Sequence, residues 1–239
     1  MAALSRQRIP RAIRKLHRAK LRLLPVMSGA AIAGAAIAAV AYLLWPTWHQ
    51  AGASTPGRIP VSVGETLFNV PVRAFRVKVQ THSGPQDRVD LAFLYPSLAP
   101  PEPARHISAE KADQGPPPID RVFLSIIAHG GSLAPDVRVR TIYPRYLDAI
   151  AMPAQDGLLT RSFRDGSPYS GEDLFYASTP NLVARCTRDG GTVGMCLSER
   201  RAGNADLTFR FPRAWLSQWR DVATAMDRLT MQLRDPKGS

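Results

Sequence analysis

Cys186 and Cys196, with nine residues between them, carry the clearest chemistry of this 239-residue chain. The interval holds Asp189-Gly190-Gly191, a strong turn. Two strands joined by that turn bring the cysteines opposite each other, within the reach a disulfide needs. In an oxidising compartment such a pair closes, and a loop this short stabilises by roughly 2–3 kcal/mol. A redox-active pair would need the Cys-x-x-Cys spacing that depresses a thiol pKa, which is absent. The most enzyme-like string is His129-Gly130-Gly131-Ser132-Leu133-Ala134. It shares features with the His-Gly-Gly oxyanion loop of esterases and, more loosely, with a nucleophile elbow. One string cannot be both, and Pro135 stands where the elbow's helix should begin. A serine hydrolase centred on Ser132 is therefore a remote alternative, requiring His106 or His129 and an acid within reach of the hydroxyl. A glycine turn ending a strand explains the same residues.

The remaining candidates are weaker. His17, His49, His82, His106 and His129 are scattered, without His-x-x-x-His spacing or a Cys/His cluster, so no metal site and no cofactor are expected. Asp165-Gly166-Ser167-Pro168-Tyr169, with Glu172 and Asp173, reads as a polar loop of turns and caps, too sparse in oxygen ligands for calcium. No Walker-type loop, dinucleotide fingerprint or nucleic-acid module occurs. The reading is of a protein that is not an enzyme.

The elements that must position these residues begin with the N-terminus. Residues 1–24 form a basic tail holding Arg6, Arg8, Arg11, Arg14, Lys15, Arg18, Lys20 and Arg22 and no acid. The formal charge of +12 is concentrated there: eight of 31 basic residues lie in the tail, leaving 23 against 19 acids, a balance of +4, beyond it. Nucleic-acid binding by the folded part is not expected from that balance. The uncharged run Val26 to Trp45 holds 20 residues, enough to span a bilayer at about 1.5 Å per residue. A transmembrane helix is expected over 25–48, with the N-terminus in the cytoplasm and the following chain exported. Arg11, Arg14, Lys15, Arg18, Lys20 and Arg22 would lie against anionic headgroups if the tail is an interfacial helix, though they also serve simply as a topology signal. Ala30, Gly34 and Ala38 form a small-xxx-small row that suits close approach of a second helix, from another membrane protein or a second copy. Ala51-Gly52-Ala53 would pass as a cleavage site, but the apolar run is longer than a signal peptide needs, so an uncleaved anchor is the reading taken.

Beyond a linker at 49–58, residues 59–235 are expected to fold as one β-rich domain. Strands are read at Val61 to Val63, Thr66 to Val70, the alternating Phe75 to Gln80, Val89 to Tyr95 and Arg121 to Ala128. Residues 96–118 are Pro-rich and polar, a long mobile loop. A helix is expected over Asp136 to Ala149, ended or kinked by Pro144. A short strand near Leu174 to Ala177 and a small meander over Asn181 to Cys186, Gly194 to Ser198 and Asp206 to Phe211 follow. A C-terminal amphipathic helix runs from Pro212 to about Leu233. Its seam of Trp215, Trp219, Val222, Met226, Leu229 and Leu233 suits packing on a sheet, or a short dimerising coiled coil. The fold class is α+β: one N-terminal transmembrane helix followed by a β-rich antiparallel domain with that helix.

At Ile142-Tyr143-Pro144-Arg145-Tyr146, Gly157-Leu158, Phe163-Arg164-Asp165-Gly166-Ser167-Pro168-Tyr169, Glu172-Asp173-Leu174 and Arg185-Cys186, the chain resembles bacterial single-pass inner-membrane proteins with a small periplasmic domain. That group is uncharacterised as to activity, so the resemblance implies architecture and an inner-membrane location, and no site residue. The expected role is a periplasmic accessory or scaffolding protein associated with a larger membrane complex. A periplasmic ligand-binding or sensing domain is the alternative, and it would show an enclosed pocket with convergent polar groups.

Overall fold

The computed structural model describes residues 34–36, 40, 57–102 and 118–234. Residues 1–53 and 54–239 form separate compact units. In the first, residues 34–36 and Val40 are helical. The rest of the expected span, with Ala30 and Ala38, and the basic tail with Arg11, Arg14, Lys15, Arg18, Lys20 and Arg22 lie outside the described residues. So do 103–117 of the Pro-rich stretch and His106. Among the described residues no helix is long and apolar enough to cross a membrane.

The second unit opens with a hairpin, β1 (Arg58–Val63) and β2 (Thr66–Pro71), whose alternation buries Val61, Val63, Phe68 and Val70 on one face. A third strand, β3 (Gly84–Gln86), pairs in parallel with β1 to complete a small sheet of order β2-β1-β3. Eight further strands, joined by antiparallel pairings, build the large sheet, of order β4-β5-β11-β10-β9-β8-β7-β6. Its strands are β4 (Arg88–Leu94), β5 (Arg121–Ala128), β6 (Met152–Pro153), β7 (Leu159–Ser162), β8 (Glu172–Ala177), β9 (Leu182–Thr187), β10 (Met195–Ala202) and β11 (Ala205–Pro212).

Period-two patterning gives the large sheet two different faces. One carries Leu91, Leu124, Ile126, Leu182, Ala184, Leu207 and Phe209, all essentially inaccessible, and is covered by the small sheet and by α2 (Trp219–Arg234) in a single core. The α2 seam is the one the sequence predicts: Trp219, Val222, Met226, Leu229 and Leu233 are buried. That burial within the chain removes the coiled-coil reading, because the apolar face is already spent. The helix starts later than Pro212, which ends β11; Arg213–Gln218 form a 3-10 turn that brings Trp215 to stack on Tyr95 with centroids 4.3 Å apart.

Three other expectations are corrected. Phe75 to Gln80 is not a strand: it is a 3-10 turn at Lys78–Gln80 after a single bridge, Phe75 to Leu91, and Val79 is left 79% exposed. Alternation alone cannot hold a strand when its partner, here β4, takes only one bridge from it. The helix at Asp136 to Ala149 shortens to α1 (Pro135–Thr141), because Pro144 belongs to a separate 3-10 turn, Tyr143–Arg145. The small meander is the middle of the eight-stranded sheet rather than a unit of its own.

The two sheets are clasped through their turns. The carbonyl of Asn204, in the β10–β11 turn, accepts from the His129 amide at 2.9 Å, and the Asn204 amide donates to Thr66 Oγ1 at 2.9 Å. Gly64, at φ +54°, leaves no room for a side chain: a Cβ there would stand 2.1 Å from the Asn204 oxygen. Gly64→Ala is therefore expected to cost about 2 kcal/mol from strain and a displaced turn. Urea denaturation should show the lower midpoint, while Gly166→Ala, with φ +77° but open space around it, should lose less.

Candidate functional site

Cys186 and Cys196 are directly opposite in the β9–β10 register and form a disulfide, with Cα atoms 3.9 Å apart. Their surroundings give the bridge a particular role. The β9–β10 ladder contains only two residue pairs, Cys196 with Cys186 and Leu197 with Arg185. Beyond them β9 continues on β8 alone and β10 on β11 alone. The large sheet is thus two four-stranded halves, joined at one corner by two residue pairs, the hydrogen bonds between Thr187 Oγ1 and the Met195 backbone, and a covalent bond. Antiparallel alternation makes Val183 and Glu199 the next hydrogen-bonding pair, and the ladder does not extend to them.

A cavity of about 280 Å³ opens at this parting. Its walls come from α1 (Val139), from the turn after it (Tyr143), and from Leu174, Val183 and Leu197 on the strands. Charged groups converge on it. Arg185 Nε lies 2.9 Å from Glu172 Oε2, an ion pair that is not aligned as a hydrogen bond. Arg138 Nη2 donates to Glu199 Oε1 at 3.0 Å, and Arg140 pairs with Asp136 at the exposed rim. Arg200 pairs with Asp227 and reaches the Asn181 carbonyl. Burial raises the Glu172 carboxyl above its ordinary range, and Arg185 offsets this only in part. The Arg185 guanidinium also lies over the Tyr169 ring, 4.8 Å from its centroid, and more distantly over Tyr143. These tyrosines join Phe163 and Tyr146 in a second, smaller aromatic cluster under α1. Tyr169 is what the 165–169 loop supplies to the fold.

Asp173, one residue from Glu172 and on the opposite face, is buried beside the disulfide. Its carboxylate accepts from Arg213 at 2.7 Å, Ser162 Oγ at 2.8 Å and Arg188 at 3.1 Å. Burial alone would raise its pKa, but these donors and the Arg213 charge hold it below the ordinary carboxylate range. Both acids were expected in a loop; they begin β8. The strand expected near Leu174 to Ala177 begins two residues earlier, because its first positions carry charges that read as solvated when their arginine partners, remote in sequence, are unknown.

Among the described residues, which do not include His106, the Ser132 reading finds no constellation. His129 Nδ1 sits 2.9 Å from Arg201 Nη2 and 3.8 Å from Asp206 Oδ2, while Arg201 is held bidentately by Asp206 and reaches the Ser132 carbonyl. Among the described residues no hydrogen bond links the Ser132 hydroxyl to His129 or to an acid. His129 is an element of an arginine–aspartate network at the strand end. Among the described residues no group of three or more His, Cys, Asp or Glu could hold a metal.

No family model and no curated protein matches the chain. Solved structures do. Smlt3025, an immunity protein of the Stenotrophomonas maltophilia type IV secretion system, matches with a TM-score of 0.52 at 13% identity, over 75% of this chain and 94% of that one. The Neisseria meningitidis iron-regulated outer membrane lipoprotein FrpD matches with a TM-score of 0.36 at 10% identity, over 71% and 92%. The first similarity is one of fold.

Proposed function

We propose that this chain is a periplasmic accessory protein, held at the bacterial inner membrane by the run Val26 to Trp45, whose folded domain docks a protein partner belonging to a larger membrane complex. The observation that carries the reading is the open edge of the large sheet. Residues 148–157 are all exposed, and they include Ala149, Ile150, Ala151, Met152, Pro153 and Ala154 in succession. Ile150 is 77% and Met152 55% exposed. β6 pairs on one side only, with β7, so its other edge offers backbone groups and apolar side chains together. An apolar sheet edge is a liability unless something covers it, and natural edges usually carry charges instead. The fold supports a non-enzymatic role by analogy, since an immunity protein carries it.

Crosslinking in native membranes from a photoreactive residue at position 150 tests this. The expected result is a discrete protein adduct that disappears in an Ile150→Asp, Met152→Asp variant whose melting temperature is unchanged. Gentle extraction giving free monomer, with adducts to lipid or none at all, would remove the reading.

A further inference from the structure

The cavity at the parting of β9 and β10 is separate from the β6 edge and takes a ligand of different chemistry. At about 280 Å³ it lies just under the range of roughly 300–1,000 Å³ occupied by small-molecule sites. The occupant is therefore small. Its walls set one requirement, since Val139, Leu174, Val183 and Leu197 form an aliphatic lining. The charges set another. Of the charged side chains, Arg140, Arg185, Arg200, Asp136 and Glu199 line the cavity, and each of these arginines is paired with one carboxylate, Asp136, Glu172 and Asp227 respectively, while Glu199 is paired with Arg138. The surroundings are balanced, so a ligand of net charge would be bound against an uncompensated field, whereas a ligand carrying both signs would not.

Two of these groups have capacity to spare. Glu199 accepts one hydrogen bond, at Oε1, and among the described residues Arg185 makes no hydrogen bond, its contacts being the ion pair with Glu172 through Nε and the rings of Tyr169 and Tyr143. Each side chain is about one-fifth exposed, and both line the cavity. By strand alternation, the amide and carbonyl groups of Val183 and Glu199 face the same gap, offering further donors and acceptors. We propose that this cavity binds a free α-amino acid with an aliphatic side chain. The carboxylate is received by Arg185, the ammonium group by Glu199, and the side chain lies among Val139, Leu174, Val183 and Leu197. The disulfide fixes the corner from which the two half-sheets diverge, and so sets the width of the site.

The test is calorimetric titration of the full-length protein in mild detergent with L-leucine, 4-methylpentanoate and 3-methylbutylamine, which carry both charges, the carboxylate alone and the ammonium alone. Leucine is expected to bind, with the two single-charge analogues weaker by at least about tenfold. Glu199→Gln is expected to weaken leucine by about tenfold while changing 4-methylpentanoate little. Val139→Trp, which fills the cavity and removes no charge, is expected to abolish binding; its ligand-free melting temperature checks that it folds. No heat with leucine at about 10 mM, equal affinity for 4-methylpentanoate, or undiminished binding by Val139→Trp would each overturn the proposal. Loss of the position-150 crosslink in Val139→Trp, without binding of any of the three probes, would instead assign the cavity to the protein partner. Because the edge crosslink and the titration read different surfaces, either proposal can fail alone.

Discussion

The double substitution Cys186→Ser, Cys196→Ser is expected to lower the unfolding free energy by roughly 2–3 kcal/mol, the value for a loop of this length. The expected effect is also uneven across the sheet, which is the more informative part. In a continuous sheet, many ladder bonds would share the load of a lost crosslink. Here β10 is joined to β9 within the sheet by two residue pairs, the hydrogen bonds between Thr187 Oγ1 and the Met195 backbone, and the disulfide. Without the bond, β6 to β9 should open as a unit at a lower free energy than β4, β5, β11 and β10, which keep α2 and the small sheet. Hydrogen exchange on the oxidised and doubly substituted proteins measures this. Amides of β8 and β9 should lose protection first, with those of β5 and β11 following only at global unfolding. A uniform loss, or an unchanged denaturation midpoint, would contradict the two-half description.

The second large effect is expected at Asp173. Asp173→Ala leaves Arg213 and Arg188 facing a vacated, mostly buried position and frees Ser162 Oγ. Removing one partner of a fully buried pair costs about 3–5 kcal/mol; the partial exposure of both arginines lowers the expectation to about 3 kcal/mol. Acid dependence provides an independent check. A carboxyl held below its ordinary value in the folded state contributes stability that is complete above the unfolded pKa and is lost as pH falls through the folded one. Asp173 behaves so. Asp90 does too: burial opposes its ionisation, but hydrogen bonds from Arg88, Ser125 and Gln80 bring it to about 2. Glu172, raised by burial, has the opposite slope, losing stability as pH rises through its window. Stability should therefore fall below about pH 4, and Asp173→Asn should flatten that limb. A midpoint independent of pH in the wild type down to about pH 2 would show that these pairs do not stabilise the fold.

Local signals were read correctly wherever one element sufficed to bury its own apolar face. The β1–β2 hairpin, β4, β5 and the α2 seam follow from spacing, since alternation or a three-four repeat already commits Val61, Val63, Leu124, Ile126, Val222 and Met226 to one side. The cysteine pairing follows from the turn between them. Phe75 to Gln80 misled because alternation describes a face and not a partner, and the partner strand was elsewhere engaged. Arg138 and Glu199 were not singled out, and Glu172 was read only as part of a polar loop and Arg185 only within a family string, because each looks like a solvated charge in isolation. Only the sum of separations as large as 61 residues, between Arg138 and Glu199, makes them a site.

Composition and spacing by themselves determined a β-rich domain, a closed cysteine pair, an amphipathic C-terminal helix and the concentration of excess charge in the first 24 residues. These depend on interactions between residues near in sequence, where chain geometry fixes what can meet. Tertiary structure alone decided that the eight strands form two halves, that the disulfide stands at their junction, and that a cavity lined by paired charges opens beyond it. The physical reason is that a ladder's end is set by the packing of whole half-sheets on α2 and α1, and no local pattern records where two such bodies part.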